Sequence, residues 1–319
     1  MPPAPAAAPD EPLPDEPLPD AGPGRAGRLW RALPGLVRWP NLAIMLLSLA
    51  LVRGPLLLPG QPLAEALLAP RFGALVLAAL LVAAAGYVIN DYYDVKIDAI
   101  NRPERLVVGR MLRRRHAMLA HLVLSGLGVG FAATLSPVVG LVTLGAALLL
   151  WGYSARFKRL PLVGNVSIAT LTGALIVLPA LLPTTALPPA FHQKAVWLYA
   201  LAAFLLTVVR EIMKDLEDMP GDARHGCRTL PLVWGVARSK AVAGFFLACL
   251  VMLVLGVVGQ LLAWGGRPWL AAWLLALALL PLGWLARLLV RADRRRHYRA
   301  ASAWCKAIML AGVLSMLLA

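Results

Sequence analysis

Residues 90–105 read N-D-Y-Y-D-V-K-I-D-A-I-N-R-P-E-R and follow an apolar run at residues 74–89. Three aspartates in this stretch, Asp91, Asp94 and Asp98, are separated by three and then four residues. On a helix, positions with this spacing lie on one face. We call these three residues the first aspartate row, and the sequence predicts that it stands at the end of a membrane-embedded helix.

A second stretch repeats this arrangement 124 residues later. Residues 210–222 contain Asp215, Asp218 and Asp222 at the same spacing, and they too follow an apolar run. We call these residues the second aspartate row. The chain is therefore predicted to carry two carboxylate-bearing helix ends, which we expect to face each other.

The composition indicates a protein embedded in a lipid bilayer. Of the 319 residues, 60% are hydrophobic and 15% are charged, and a soluble domain of this length could not cover so much apolar surface. A β-barrel would require short alternating strands, which the sequence lacks. The three cysteines and five histidines are scattered, without the spacing of a disulfide framework or a metal site. We therefore expect an all-α, polytopic membrane protein.

Nine apolar runs are long enough to cross a bilayer, which requires about 20 residues per helix. The division between the third and fourth runs rests on a very short connection at Ser136-Pro137. We place the nine spans at about residues 41–58, 73–93, 117–135, 138–153, 165–183, 194–213, 240–263, 268–290 and 301–318.

Positive charge predicts the orientation of these spans. The chain has a net charge of +15, and its Lys and Arg residues lie on one side except for Arg53, Arg71, Lys194 and Arg267. By the positive-inside rule, the side with the excess is cytoplasmic. The N-terminus and both aspartate rows are then cytoplasmic, and the C-terminus is external. Because the basic residues occupy short loops between spans, we expect no nucleic-acid partner.

The N-terminal segment differs from the rest of the chain. Residues 1–24 are rich in Pro and Ala, contain five acids and nearly repeat D-E-P-L-P-D, a composition typical of a disordered tail. Residues 25–40 carry four arginines among Leu and Trp, which predicts an amphipathic segment on the membrane surface. We therefore divide the chain into a tail, residues 1–24, and a membrane domain, residues 25–319.

Acidic residues are concentrated in the two stretches. Beyond residue 24, all except Glu65 and Asp293 fall within residues 91–104 or 211–222. Clustered carboxylates repel each other unless cations lie between them, and Mg²⁺ is commonly bound through a few carboxylates and substrate phosphate oxygens. We therefore predict that the two rows bind Mg²⁺ around a diphosphate. The alternative is a pair of solvated helix ends whose acids pair with nearby arginines; two rows of equal spacing on one side favour the metal site.

Basic residues near the rows are candidates to bind the diphosphate, since Arg and Lys attract phosphate groups. Arg105 follows the first row, Lys158 lies in Y-S-A-R-F-K-R, and Lys214 lies beside the second row. We expect Arg105 and Lys158 to contact substrate. Residues 113–115 and 294–296 are all arginine, and we assign them to membrane topology or lipid headgroup contacts.

Three motifs resemble the UbiA superfamily of intramembrane prenyltransferases. N-D-Y-Y-D-V-K-I-D is similar to the family's first aspartate-rich motif, NDxxDxxxD, and K-D-L-E-D-M-P-G-D is similar to its second. Y-S-A-R-F-K-R-L-P-L-V-G-N resembles the segment between them, and Arg38 and Asn41 resemble the family's N-terminal Arg and Asn. The resemblance covers residues 30–319 and leaves out the tail.

This resemblance implies a nine-helix bundle with a central cavity open sideways to lipid, capped by both motifs. By matched position, Asn90 and the first row belong to one Mg²⁺ site and the second row to another. The metal would neutralise the leaving diphosphate of a polyprenyl donor as the allylic carbon–oxygen bond breaks, and the cavity would keep water from the allylic cation. The other candidate substrate-binding residues are Asn41, Arg105, Tyr153, Lys158 and Lys214.

The two aspartate motifs are most similar to the digeranylgeranylglyceryl phosphate synthase branch, which implies transfer of a geranylgeranyl group to geranylgeranylglyceryl phosphate. The alternative is a quinone-pathway aromatic prenyltransferase, with 4-hydroxybenzoate, homogentisate or dihydroxynaphthoate as acceptor. We expect an integral enzyme of a bacterial inner membrane, in contact with membrane lipids. A transporter is disfavoured because both rows are predicted at one surface rather than near the bilayer midplane, and an inactive scaffold because all six aspartates are present.

Overall fold

The computed structural model of the protein describes residues 35–101, 107–109, 111–183, 190–224, 226–264 and 266–319, without the side chains of residues 96–101 and 264. The predicted tail, most of the amphipathic segment and Arg105 lie outside the described residues. Within the described ranges the chain is helical, and its β-type pairing is a single isolated bridge between Val108 and Leu112. The predicted all-α class is confirmed.

Nine helices in the described part of the chain are long and apolar enough to cross a membrane. They confirm the nine predicted spans, and we number them α1 to α9. A short helix, Leu63–Leu68, lies between the first two. The nine are α1 (Trp39–Leu51, continued by a π-helix, Val52–Leu57), α2 (Pro70–Asn101), α3 (Arg114–Leu135), α4 (Pro137–Ala155), α5 (Val163–Val177, continued by a 3₁₀ turn, Leu178–Leu181), α6 (Ala190–Arg224), α7 (Leu230–Trp264), α8 (Pro268–Leu274, a π-helical segment Leu275–Leu279, and Leu280–Arg291) and α9 (Arg295–Ser315, continued by a 3₁₀ turn, Met316–Leu318).

The short connection between α3 and α4 is a true helix boundary. Ser136 is extended and caps α4, because its Oγ accepts a hydrogen bond from the Val139 N–H at 3.1 Å. Pro137 follows as the first helical residue, where its missing N–H costs nothing. One residue is therefore enough to separate the third and fourth spans.

Four apolar cores form among the described residues, and two of them include the helices of the aspartate rows. One joins α6 to α7, α8 and α9 and includes Ile212, Leu285 and Ala301, which are fully buried. The other joins α1 to α5 and includes Leu49 and Leu75. The helices that carry the aspartate rows, α2 and α6, belong to different cores. α5 contributes to both cores, since Ala169 lies in the first and Leu178 in the second.

Both aspartate rows lie within helices rather than in loops. α2 continues to Asn101 and α6 to Arg224, each past the predicted end of its span at residue 93 or 213. The helical repeat therefore persists through both motifs, as their spacing predicted. Backbone geometry, rather than a flexible connection, sets the direction of each carboxylate.

Candidate active site

The first aspartate row is joined to the loop after α4 by a lysine. Lys158 lies in the 3₁₀ turn Phe157–Arg159, and its Nζ donates to Asp94 Oδ1 at 2.5 Å and to Asn90 Oδ1 at 3.3 Å. Asn90 Nδ2 in turn donates to Asp94 Oδ2 at 2.9 Å. The side chains of Lys158 and Asp94 are only 13% and 17% exposed, so water screens their attraction weakly. The predicted substrate-binding residues Asn90 and Lys158 therefore meet at the first row.

A close backbone approach holds the turn that carries this lysine. A Cβ added at Gly164 would lie 2.9 Å from Lys158 Cα and 3.0 Å from the Phe157 carbonyl oxygen, so a side chain there would push the turn away. Leu162, between the turn and α5, has a φ of 63°, a region that residues with side chains seldom adopt. Glycine at position 164 and the left-handed residue before α5 together place Lys158 against α2.

The N-terminal end of α1 contacts the same row. Arg38 Nη2 lies 3.4 Å from Asp91 Oδ1, and the Arg38 guanidinium lies 5.0 Å from the centroid of the Tyr87 ring. Asn41 is exposed, and its side chain makes no hydrogen bond to a described residue. Of the two N-terminal candidates, Arg38 is the one that the structure brings to the first row.

The second aspartate row is held by a neutral side chain. Asn165 on α5 is 5% exposed, and its Nδ2 donates to Asp215 Oδ2 at 2.8 Å. One turn earlier, Glu211 forms an ion pair with Arg210 and lies 3.9 Å from Lys214 Nζ. The acids of this helix end are therefore oriented by an amide from α5 and by cations of α6 itself.

Tyr153 interacts electrostatically with one aspartate of each row. Its hydroxyl, at the end of α4, is within electrostatic range of Asp94 from the first row and of Asp215 from the second. Lys214 is within the same range. Tyr153 therefore has a carboxylate neighbour from each row, whereas Lys214 has Asp218 of the second row.

The loop after α6 provides a second link between the rows. The Cys227 thiol is within electrostatic range of Asp222 and of Asp94, and the Arg228 N–H donates to the Arg159 carbonyl oxygen at 2.9 Å. Burial, and then the charge of Asp222, raises the pKa of the Cys227 thiol. The loops that follow α4 and α6 are therefore in direct backbone contact above the rows.

The donor chemistry of the two rows fits Mg²⁺. Among the described side chains, no three acidic, histidine or cysteine groups are close enough together to hold a metal ion by themselves. Mg²⁺ usually needs only one or two carboxylates, because waters and substrate phosphate oxygens complete its coordination. The described donors are all hard oxygen atoms, and they belong to Asn90, Asp91, Asp94, Asp215, Asp218 and Asp222. The side chain of Asp98 lies outside those the structure describes.

Two arginines at the second row were missed from the sequence. Arg295 Nη2 lies 3.9 Å from Asp218 Oδ1, and Arg299 Nε donates to Glu217 Oε1 at 2.8 Å. From the sequence, residues 294–296 are assigned to topology or lipid contacts, and Arg299 counts only as one of the basic residues on the predicted cytoplasmic side. Because the positive-inside rule accounts for any arginine in this loop, no sequence signal distinguishes these two from their neighbours.

Comparison with known proteins identifies the family. Residues 55–310 match the UbiA prenyltransferase family. The digeranylgeranylglyceryl phosphate synthase of Methanopyrus kandleri is 36% identical over 223 residues, which cover 70% of this chain and 77% of that protein. The synthase of the same name from Methanospirillum hungatei is 31% identical over 242 residues, covering 75% and 82%.

Solved structures share the fold. A structure from work on digeranylgeranylglyceryl phosphate synthase aligns with a TM-score of 0.69 at 23% identity, covering 91% of this chain and 98% of that one. A UbiA homologue from Archaeoglobus fulgidus bound to GPP and Mg²⁺ aligns with a TM-score of 0.62 at 18% identity, covering 89% and 99%. Together with the motifs and their placement, these matches show that the chain is an integral membrane prenyltransferase and belongs to the UbiA family.

Proposed function

We propose that this protein transfers a geranylgeranyl group from its diphosphate to the hydroxyl of geranylgeranylglyceryl phosphate. The names of the curated relatives support this acceptor. The observation that carries the proposal is the hydrogen bond from the Arg228 N–H to the Arg159 carbonyl oxygen at 2.9 Å, which joins the loop that carries Lys158 at the first row to the loop that follows the second row. The two aspartate rows would then border one space, as a diphosphate with bound metal requires.

The aspartate rows and Asn90 would hold Mg²⁺ around the donor. The first row with Asn90 would form one site, and the second row would form the other. When bound, Mg²⁺ supplies positive charge that stabilises the diphosphate as it leaves. The protein orients the ligands: Asn90 fixes Asp94 through its amide, and Asn165 fixes Asp215.

Cations of the chain would bind the remaining phosphate oxygens. Lys158 is placed at the first row by its contact with Asp94, and Lys214 stands beside the second. Arg105, which is outside the described residues, is the third candidate. In the reaction the allylic carbon–oxygen bond breaks and its electron pair leaves with the diphosphate. The acceptor oxygen then bonds to the allylic carbon, and the hydroxyl proton is released.

The predicted central cavity would hold the isoprenoid chain and exclude water from the allylic cation. Its mouth would lie at the end of the bundle that carries the rows. We also propose that this end is cytoplasmic in a bacterial inner membrane, with the C-terminus external. The basic residues of the loops support this orientation, since Arg53 and Arg267 are among only four that lie toward the opposite end.

An acceptor assay with the purified protein tests the proposal. The protein in lipid nanodiscs is mixed with geranylgeranyl diphosphate, Mg²⁺ and one acceptor at a time. The acceptor is either geranylgeranylglyceryl phosphate or an aromatic compound, namely 4-hydroxybenzoate, homogentisate or dihydroxynaphthoate. We expect ether-lipid product with the glyceryl phosphate and loss of product with EDTA. Transfer to an aromatic acceptor instead would overturn the choice of acceptor. No diphosphate release with any acceptor would overturn prenyl transfer.

A further inference from the structure

The first turns of α9 run beside the end of α6. Arg299 Nε donates to Glu217 Oε1 at 2.8 Å, and Arg295, one turn earlier, lies 3.9 Å from Asp218. Glu217 directly precedes Asp218 of the second aspartate row. Two neighbouring acids of α6 are therefore matched by two arginines one helical turn apart on α9.

These pairs are not what packs the two helices together. Ala301 and Cys305 of α9 are fully buried, as are Ile212 and Met213 of α6, in one apolar core. Arg299 is 68% exposed, and ion pairs of exposed side chains add little to stability. The Arg299 pair therefore has a different consequence, which is to fix the direction of Glu217, itself only 15% exposed.

The end of α6 needs such support because of Pro220. Proline inside a helix has no N–H and clashes with the carbonyl four residues earlier, here that of Leu216, so the last turn of α6 is less firmly held by its own backbone. Asp218 and Asp222 lie on either side of this proline. A contact from α9 at residue 217 acts on the helix just before the weakened turn.

We propose that Arg299, acting through Glu217, is a positioning residue that orients the second aspartate row for metal binding. The proposal rests on the metal-dependent function proposed above. Arg299 itself does not contact a predicted metal ligand, so its effect passes through the direction of the helix end. Loss of the pair leaves the fold intact and weakens the binding of metal with diphosphate.

The test measures metal binding directly, without turnover. Mn²⁺, as a spectroscopic stand-in for Mg²⁺, is titrated into the full-length protein in nanodiscs with inorganic pyrophosphate and followed by electron paramagnetic resonance. We expect Arg299→Gln to weaken Mn²⁺ binding about fivefold and to leave Tm unchanged. Arg294→Gln is the matched control. It removes the same charge five residues away in the chain, and the Arg294 side chain has no described contact to α6.

Exchanging the charges of residues 217 and 299 distinguishes the effect of their ion pair from the effect of the charge at each position. Glu217→Arg weakens binding on its own, and the double variant Glu217→Arg with Arg299→Glu keeps the net charge and restores the pair. Glu217 lines an open groove of about 450 Å³ together with Val236 and Tyr298 among others, which leaves room for the longer side chain at position 217. We expect the double variant to recover wild-type Mn²⁺ binding to within about twofold.

Four outcomes would overturn the proposal. Arg299→Gln and Arg294→Gln could bind Mn²⁺ equally well, or Arg299→Gln could lower Tm while binding Mn²⁺ normally, which would make the pair merely structural. The folded double variant could bind as weakly as the single variants. Absence of Mn²⁺ binding in the wild-type protein would remove the metal assignment itself, and the proposal with it.

Discussion

The two aspartate rows share one spacing but are held in different ways. Asp94 of the first row contacts the ammonium of Lys158 directly, at 2.5 Å. Asp215 of the second row accepts from the neutral amide of Asn165, and Asp218 has an arginine 3.9 Å away. A carboxylate in direct contact with a cation has much of its charge already compensated, whereas one bound by an amide keeps it. A metal ion at Asp94 would therefore compete with the charge of Lys158, whereas one at Asp215 would compete with a neutral donor.

The rows also differ in which parts of the fold hold them. Lys158 reaches the first row from a 3₁₀ turn, and Arg38 reaches it from just before α1. Asn165 and Arg295 reach the second row from α5 and α9, which are packed helices. Loops move more easily than packed helices. The partners of the first row come from turns and those of the second row from packed helices, although Pro220 weakens the last turn of α6 itself.

The largest expected effect tests whether both rows are required at all. Asp91→Ala and Asp218→Ala each remove one carboxylate, and we expect each to reduce prenyl transfer on the order of 10³-fold, because the charge of the leaving diphosphate is then poorly compensated. Both variants should insert in the membrane normally. Turnover assays on purified protein with equal amounts of folded enzyme check this. Wild-type turnover in either variant would remove that row from the metal site.

The next effect concerns the cation of the first row. Lys158→Met keeps the length of the side chain but removes its charge, and we expect turnover to fall about 100-fold, with KM for the donor diphosphate rising. Arg156→Met removes an exposed charge from the same loop and serves as the control. If Lys158→Met changed the donor KM no more than Arg156→Met does, Lys158 would be a structural partner of Asp94 and not a substrate ligand.

A smaller effect is expected when Asp215 of the second row loses the amide donor of Asn165. Asn165→Leu keeps the volume of the side chain but leaves Asp215 without this donor, and we expect about a tenfold rise in the Mg²⁺ concentration for half-maximal rate. Ser167→Ala is a suitable control, because Ser167 Oγ donates to the Val163 carbonyl of its own helix. An unchanged Mg²⁺ requirement in Asn165→Leu would show that metal binding at the second row does not depend on the hydrogen bond from Asn165 to Asp215.

The smallest effect uses Cys227 as a reporter. Burial and the charge of Asp222 raise the pKa of the Cys227 thiol, so at pH 7.5 less thiolate is present than in an exposed cysteine and maleimide labelling should be slow. Labelling should speed up as pH rises toward that pKa. Asp222→Asn removes one cause of the shift and should increase the rate at pH 7.5 about twofold. Mass spectrometry after timed quenching measures this, with Asp293→Asn as the control. Labelling as fast as that of a free thiol would show that Cys227 is open to water.

Much of the fold could be predicted from the sequence because its signals are local. Apolar runs of bilayer length predicted nine spans, and the spacing of Asp91, Asp94 and Asp98 predicted a helix that continues beyond its span. Both signals depend only on residues close together in the chain. The structure extends the helices of α2, α6 and α7 well beyond the predicted spans, since polar helix ends carry no apolar signal.

The contacts of the site could be predicted only in part. The motifs pointed to Lys158 and Tyr153, and the structure brings both to the rows. Arg299 and its contact with Glu217 could not be predicted, because a pair that is 82 residues apart depends on how α6 and α9 pack. Asn41 was predicted beside the substrate, and this role stays a prediction.

The hydrogen bond from the Arg228 N–H to the Arg159 carbonyl oxygen joins the two halves of the bundle through peptide groups alone. Alanine scanning does not detect this hydrogen bond, because every residue except proline supplies the same amide hydrogen. Substitutions at position 228 other than proline therefore keep the hydrogen bond between the two loops. Arg228→Pro is the one substitution at this position that would remove the hydrogen bond.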